Sequence, residues 1–262
     1  MRLSSFSAVL GSLVLALSCN AAAAAPVKPV KADAAAIAAS IGSSERPAAD
    51  RERDAWAKPE VVLTLLGARP GMHVIDYLAG DGYYSELLAR IVGPNGEVIL
   101  YNNGGYASFI GQMLVKRFEG HRVPNTLEKV AEIDELKLPA ESLDAALFVM
   151  SYHDVYFTPH GAQGPMGDAA QMVGALFGAL KKGGVVVVQD HVATGADPGQ
   201  SVQKLHRIDP AVVKRTFEQA GFTLDTDDTT FRNTTDDHTK MVFDPSVRHK
   251  TDQFLYRFRK PG

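Results

Sequence analysis

Apolar positions along this chain switch between two rhythms. In residues 59–66, Val61, Val62, Leu65 and Leu66 recur at helical spacing behind Pro59, a residue suited to a helix's first turn. Gly67 ends that segment, and Pro70-Gly71 marks a turn. Residues 73–77 form a short apolar run, which predicts a strand. Residues 83–92 place Leu87, Leu88 and Ile91 on one side, which predicts an amphipathic helix. After the turn Gly93-Pro94-Asn95-Gly96, the pattern predicts a strand at 97–101, a helix at 107–118 and a strand at 127–133. Residues 143–150 are almost continuously apolar, as in a strand buried on both faces. A helix at 168–180, the turn Lys182-Gly183-Gly184 and a buried strand at 185–189 come next. A helix at 211–220, stopped by Gly221, and strands at 222–230 and 254–259 complete the series.

Strands alternating with helices predict an α/β domain: a mostly parallel seven-stranded sheet with helices on both faces. No helix separates the last two strands, so the last is expected to run antiparallel.

The first residues follow another logic. Arg2 precedes an apolar run at 6–17, then Ala21 to Ala25 and Pro26. That is the layout of a secretory signal peptide over residues 1–25, with Ala23-Ala24-Ala25 as the cleavage site. The run is too short to cross a membrane. An exported, periplasmic protein is expected, with no transmembrane segment once mature. Lipoprotein anchoring through Cys19 is the weaker alternative. Cys19 is the only cysteine, which excludes a disulfide or a cysteine-based metal site within one chain. Residues 26–45, rich in Ala, Pro, Lys and Ser, are expected to be a flexible linker, leaving 46–262 as the domain. The charged stretch 46–58 reads as a solvated face or as a lid over a site. The polar stretch 232–250 reads as a solvent loop or as an insertion folded over a pocket.

Charge changes the picture by exclusion. With 27 basic and 30 acidic residues, net −3, and no run of Lys or Arg, nothing advertises a nucleic-acid surface. The expected partner is a small molecule.

Candidate chemistry starts at Asp76-Tyr77-Leu78-Ala79-Gly80-Asp81-Gly82, between a predicted strand and a predicted helix. Glycine lets the backbone turn sharply and approach a ligand, and the following helix offers free N–H groups. Ligands of open α/β sheets sit outside the carboxyl ends of the strands, where this loop falls.

Val74-Ile75-Asp76 with Ala79-Gly80-Asp81-Gly82-Tyr83-Tyr84-Ser85-Glu86 resembles the first motif of class I S-adenosylmethionine-dependent methyltransferases. Val92-Gly93-Pro94-Asn95-Gly96-Glu97-Val98 is similar to that family's turn into strand two. Leu138-Pro139 through Ser142-Leu143-Asp144 and Lys181-Lys182-Gly183-Gly184 are similar to its leads into strands four and five. His153-Asp154-Val155-Tyr156 and the ending Arg257 to Pro261 resemble a group of exported methyltransferases. The resemblance implies a Rossmann-like methyltransferase fold, S-adenosylmethionine as cofactor, and a cofactor site at Asp76, Ala79, Gly80, Asp81, Gly82, Tyr84, Asn102 and Glu132. Two positions depart from the family pattern. Leu78 stands where the motif has its first glycine, and Asn102 stands where an acid usually holds the ribose.

Strand four ends in Ser151-Tyr152-His153-Asp154 and strand five in Gln189-Asp190-His191. These ends are neighbours in such a fold, so His153, Asp154, Asp190 and His191 are expected to converge as catalytic residues. Either histidine could act as base, oriented by an adjacent carboxylate. The cluster could instead hold a divalent metal, though no individual metal ligand is assigned. His206 and Arg207, before the predicted N-cap Asp209, form a further polar knot that could face the site. The reading is therefore an exported methyltransferase acting on a small molecule. The alternatives are a non-catalytic binding protein on the same scaffold, or a metal-dependent hydrolase built on the His/Asp cluster.

Overall fold

The computed structural model describes residues 31–119, 123–195 and 197–262. The expected signal peptide, 1–25, lies outside them.

Seven strands form one sheet in the order β3-β2-β1-β4-β5-β7-β6. They are β1 (His73–Tyr77), β2 (Glu97–Asn102), β3 (Thr126–Val130), β4 (Leu143–Val149), β5 (Leu180–His191), β6 (Thr223–Asp228) and β7 (Gln253–Arg259). The first five run parallel, and β7 pairs antiparallel with both β5 and β6. The predicted Rossmann-like fold is therefore the observed one. β1 has β2 on one side and β4 on the other, so the order reverses there and opens a crevice at the carboxyl ends.

Alternation along the strands divides the core. Val74, Val98, Leu147 and Val187 face α3 (Pro59–Leu66) and α4 (Tyr83–Val92). Ile75, Tyr101, Phe148 and Val188 belong to the opposite cluster with α6 (Ala169–Ala179) and α8 (Pro210–Gln219). α5 (Gly104–Phe118) is seated by Ile110 and Leu114 on Leu100.

Three expectations are corrected. The stretch expected as a flexible linker contains α1 (Ala34–Ile41), capped by Asp33, whose Oδ1 accepts the Ala36 N–H at 3.0 Å. Alanine favours helix, and Ile37 and Ser40 bury against α4, Ser40 Oγ donating to the Leu87 carbonyl at 2.8 Å. The strand expected at 127–133 stops at Val130, because its partner β2 ends at Asn102; Ile133–Glu135 becomes a single 3₁₀ turn. The strand expected at 185–189 extends over Leu180–His191, with an irregularity in register opposite Leu143 and Ala145.

Periodicity also passed over two helices. They are α2 (Ala48–Ala57), in the charged stretch, and α7 (Pro198–Leu205).

Candidate active site

The loop leaving β1 is wound tightly. Leu78, Gly80 and Gly82 all adopt left-handed φ, at 52°, 59° and 81°. For Leu78 this costs on the order of 1 kcal/mol. Its side chain is buried in the core, which offsets that strain. Gly82 cannot be replaced cheaply, because a Cβ would lie 2.8 Å from Leu100 Cδ1 and 3.0 Å from Arg117 Cδ. Asn102, at the end of β2, brackets the loop. Its Oδ1 accepts the Gly80 N–H at 2.9 Å and its Nδ2 donates to the Gly80 carbonyl at 3.0 Å.

Below the loop lies the buried guanidinium of Arg117. It reaches Asp81 at 3.0 Å, Asp50 at 2.6 Å and Glu86 at 2.8 Å, and its Nε donates to the Asp81 carbonyl. Arg53 stands 3.7 Å from the other Asp81 oxygen. One arginine thus ties α2, α4 and α5 to the glycine loop.

The end of β4 is re-aimed by Met150, with φ 53°, and by Ser151, whose hydroxyl donates to the Tyr77 carbonyl at 3.0 Å. The chain then coils through the short 3₁₀ segment Tyr152–Tyr156 and carries His153 beneath the end of β5. Asp190 accepts there from the His153 backbone N–H, from His153 Nδ1 and from the His191 N–H, each at 2.8 Å. His153 Nε2 lies 3.3 Å from Asp154, and His206 Nδ1 lies 3.6 Å from the same oxygen. The Tyr106 hydroxyl donates to the second Asp154 oxygen.

Electrostatics separate the two histidines of the expected set. Burial opposes charge on His153, but the carboxylates of Asp190 and Asp154 outweigh it and raise the group to about 9. His191, buried with Nδ1 2.7 Å from Thr251 Oγ1, is pushed down to about 3, chiefly by burial. At neutral pH His153 is cationic and His191 neutral. Burial raises Asp154, but the His153 charge, the neighbouring His206 imidazole and the Tyr106 hydroxyl prevail and hold it below the usual carboxylate range.

A cavity of about 700 Å³ joins these parts. Gly80 and Asp81 form one wall; His153, Asp154, His191 and His206 form the polar end. Tyr106, Phe109, Met113 and Phe157 supply apolar walls. Arg53 and Trp56 from α2 and Val242, Phe243, Arg248 and His249 from the polar insertion close it. Both stretches that were readable as solvated therefore act as covers. Fully buried Arg207 holds the insertion, pairing with Asp236 at 2.8 Å.

The four expected catalytic residues do converge, with Asp190 set behind the histidines. The expected cofactor residues divide. Gly80 and Asp81 reach the cavity. Asp76, which accepts the Ser85 hydroxyl at 2.6 Å, Ala79 and Gly82 build the loop behind it. Tyr84 packs toward α2, its hydroxyl 3.3 Å from the Ala57 carbonyl. Asn102 is fully buried with its amide committed to Gly80, so the ribose contact expected of it gives way to loop bracing. Glu132 accepts the Gly104 N–H at 3.2 Å, at the start of α5. Sequence reasoning left Tyr106 out of the site and His206 at its margin. His206 takes a left-handed φ of 51° as it caps α7, and no apolar periodicity signals that turn.

The fold recurs among solved structures. A methyltransferase from Aquifex aeolicus, described as S-adenosylmethionine-dependent, superposes with a TM-score of 0.54 at 16% identity, covering 82% of this chain and 98% of its own. Another from Mesorhizobium loti gives 0.53 at 14%, covering 78% and 98%. An arsenic(III) methyltransferase from Chlamydomonas reinhardtii gives 0.54 at 14%, covering 87% and 73%. No protein-family profile and no curated protein matches the chain. Such similarity establishes a class I methyltransferase fold; the chemistry has to be argued from the site.

Proposed function

We propose that this protein is an S-adenosylmethionine-dependent methyltransferase acting on a small molecule. The observation that carries the reading is the single cavity that joins Gly80 and Asp81 to the His153, Asp154 and His206 cluster. It lies at the carboxyl ends of the strands, in a fold shared with solved methyltransferases.

The residues fit the cofactor at its charged end. The Asp81 carboxylate, fixed by Arg117, offers a counter-charge at the cavity wall, and Gly80 adds no side chain there. The carboxylate expected near the adenine is Glu132, beside Gly104. Bound there, S-adenosylmethionine would supply an activated methyl group. The chain's own work is to orient the acceptor, exclude water with apolar walls, and receive its proton. Asp154, flanked by two imidazoles and the Tyr106 hydroxyl, is the anchor of that polar end.

Calorimetry of the purified protein with S-adenosylmethionine tests this reading. Binding in the micromolar range is expected, weakened by Asp81→Asn; absence of heat at millimolar cofactor overturns it. A non-catalytic binding protein on this scaffold is the second reading, favoured by the commitment of Asn102 to Gly80. It predicts cofactor binding without methyl transfer to any acceptor. We further infer export, supported by the order of Arg2, the apolar run and Ala23-Ala24-Ala25. Cell fractionation and N-terminal sequencing test it, and a cytoplasmic chain beginning at Met1 rules it out.

A further inference from the structure

We propose that His153 Nε2, Asp154 Oδ1 and His206 Nδ1 form a binding site for one divalent transition-metal ion. These three donor residues bring their ligand atoms within 4.8 Å of one another. His153 and Asp154 are buried and His206 half-buried, all facing the cavity.

The distances favour a shared ion over direct hydrogen bonds. His153 Nε2 and His206 Nδ1 stand 3.3 and 3.6 Å from the same carboxylate oxygen. A charge-assisted N–H···O contact prefers about 2.7–2.9 Å. His153 Nδ1 reaches 2.8 Å to Asp190 in the same cluster, so the packing does not forbid close approach. By contrast, donor atoms about 2.1 Å from a tetrahedral ion lie about 3.4 Å apart.

The surroundings are those of a ligand set held in position. Fully buried Asp190 takes the Nδ1 proton of His153, so Nε2 is the ligand atom beside Asp154 once the ion displaces its proton. The Tyr106 hydroxyl takes the other Asp154 oxygen and leaves Oδ1 on the side of the two imidazoles. His206 is turned inward by its left-handed backbone, and Phe157 and Phe243 lie against its ring at 5.1 Å. Two imidazoles and one carboxylate suit Zn²⁺, Co²⁺, Mn²⁺ or Fe²⁺, whereas Ca²⁺ and Mg²⁺ prefer all-oxygen sets. Three protein ligands leave a position open toward the cavity. An oxygen or nitrogen donor of the small molecule would complete the coordination there.

The test uses the full, tag-free protein, stripped with a chelator and studied without S-adenosylmethionine. A failure here therefore leaves the methyltransferase reading standing, and the converse also holds. Zn²⁺ is titrated by calorimetry and Co²⁺ by visible spectroscopy. The expected result is one equivalent of each ion, with Co²⁺ giving the intense d–d bands of low-coordinate nitrogen and oxygen ligation. His206→Ala is expected to weaken binding by about a hundred-fold or more, and Asp190→Asn, at a positioning residue, by about 10–100-fold. His160→Ala, at an exposed histidine, is expected to leave binding unchanged. If circular dichroism shows that His206→Ala does not fold, His206→Gln takes its place, and the Co²⁺ spectrum of the unaltered protein decides the coordination. Failure to take up either ion stoichiometrically, or full affinity in a folded His206 variant, overturns the proposal.

Discussion

Asn102 holds Gly80 by both ends of its amide, accepting its N–H at 2.9 Å and donating to its carbonyl at 3.0 Å. The amide itself is shielded from water, since Asn102 is fully buried. Replacing it with Ala leaves two backbone groups of the glycine loop without their partner. Asn102→Ala is expected to cost about 2–4 kcal/mol in urea unfolding. Asn102→Asp keeps an acceptor for the N–H but sets a carboxylate against the Gly80 carbonyl, so it should also destabilise at neutral pH. If Asn102→Asp instead stabilises the protein or tightens cofactor binding, the bracing role is wrong.

Leu78 gives a sharper test, because two effects oppose each other. Its φ of 52° favours glycine, yet its side chain is only 3% exposed. Loss of a buried leucine side chain typically costs about 2–5 kcal/mol, against strain of about 1 kcal/mol. Leu78→Gly is therefore expected to be less stable than the natural protein, although it restores the family pattern. Leu78→Ala is expected to be less stable still, by about 1 kcal/mol, since it keeps the strain and loses the packing. Thermal or urea unfolding of the pair reads the order directly. Ala more stable than Gly would mean that the loop relaxes out of the left-handed region.

The legible parts were those fixed by local rhythm or by sheet order. Ala145 to Val149 is apolar because the centre of β4 is buried on both faces, and β4 pairs with β5, so the sheet order alone places His153 and Asp190 together. The roles of Asn102 and His206 depended on backbone turns. A strand-end asparagine reads equally well as a ligand contact or as a loop brace, and only the direction of its amide decides. Trp56, Phe243 and His249 reach the cavity through contacts between segments distant in sequence, which leave no periodic trace. Arg53 and Asp50 belong to a helix whose charged sequence hides two pairings, Arg53 with Asp81 of the glycine loop and buried Asp50 with Arg117.

Trp56 is the chain's one tryptophan and stacks on His249 with ring centroids 4.1 Å apart, at the cover of the cavity. Its indole therefore reports what enters. Titration with S-adenosylmethionine is expected to shift or quench tryptophan emission with the same affinity that calorimetry gives. Trp56→Phe should abolish the signal while calorimetric affinity changes by less than about ten-fold, since a ring still covers the cavity. Calorimetric binding with unchanged emission in the natural protein would place the ligand elsewhere.

Asp76 makes stability depend on pH with a defined sign. Burial raises its carboxyl to about 6, and the Ser85 hydroxyl offsets only part of that. The folded state thus holds this proton more tightly than the unfolded chain, whose aspartates titrate near 3.9. The stabilisation is fully present below pH of about 4 and is lost as pH rises through 6. Asp76→Asn stays neutral and donates or accepts in the same place, so it lacks this dependence. The stability of Asp76→Asn relative to the natural protein is expected to be flat below pH of about 4, to climb between 4 and 7, and to level off above. At about 1.4 kcal/mol per unit, the rise has a ceiling of about 3 kcal/mol. Urea unfolding of both proteins across that range measures the difference and cancels the titration of the other carboxylates. A difference that stays constant with pH, or that falls between 4 and 7, shows that Asp76 is ionised in the folded protein throughout.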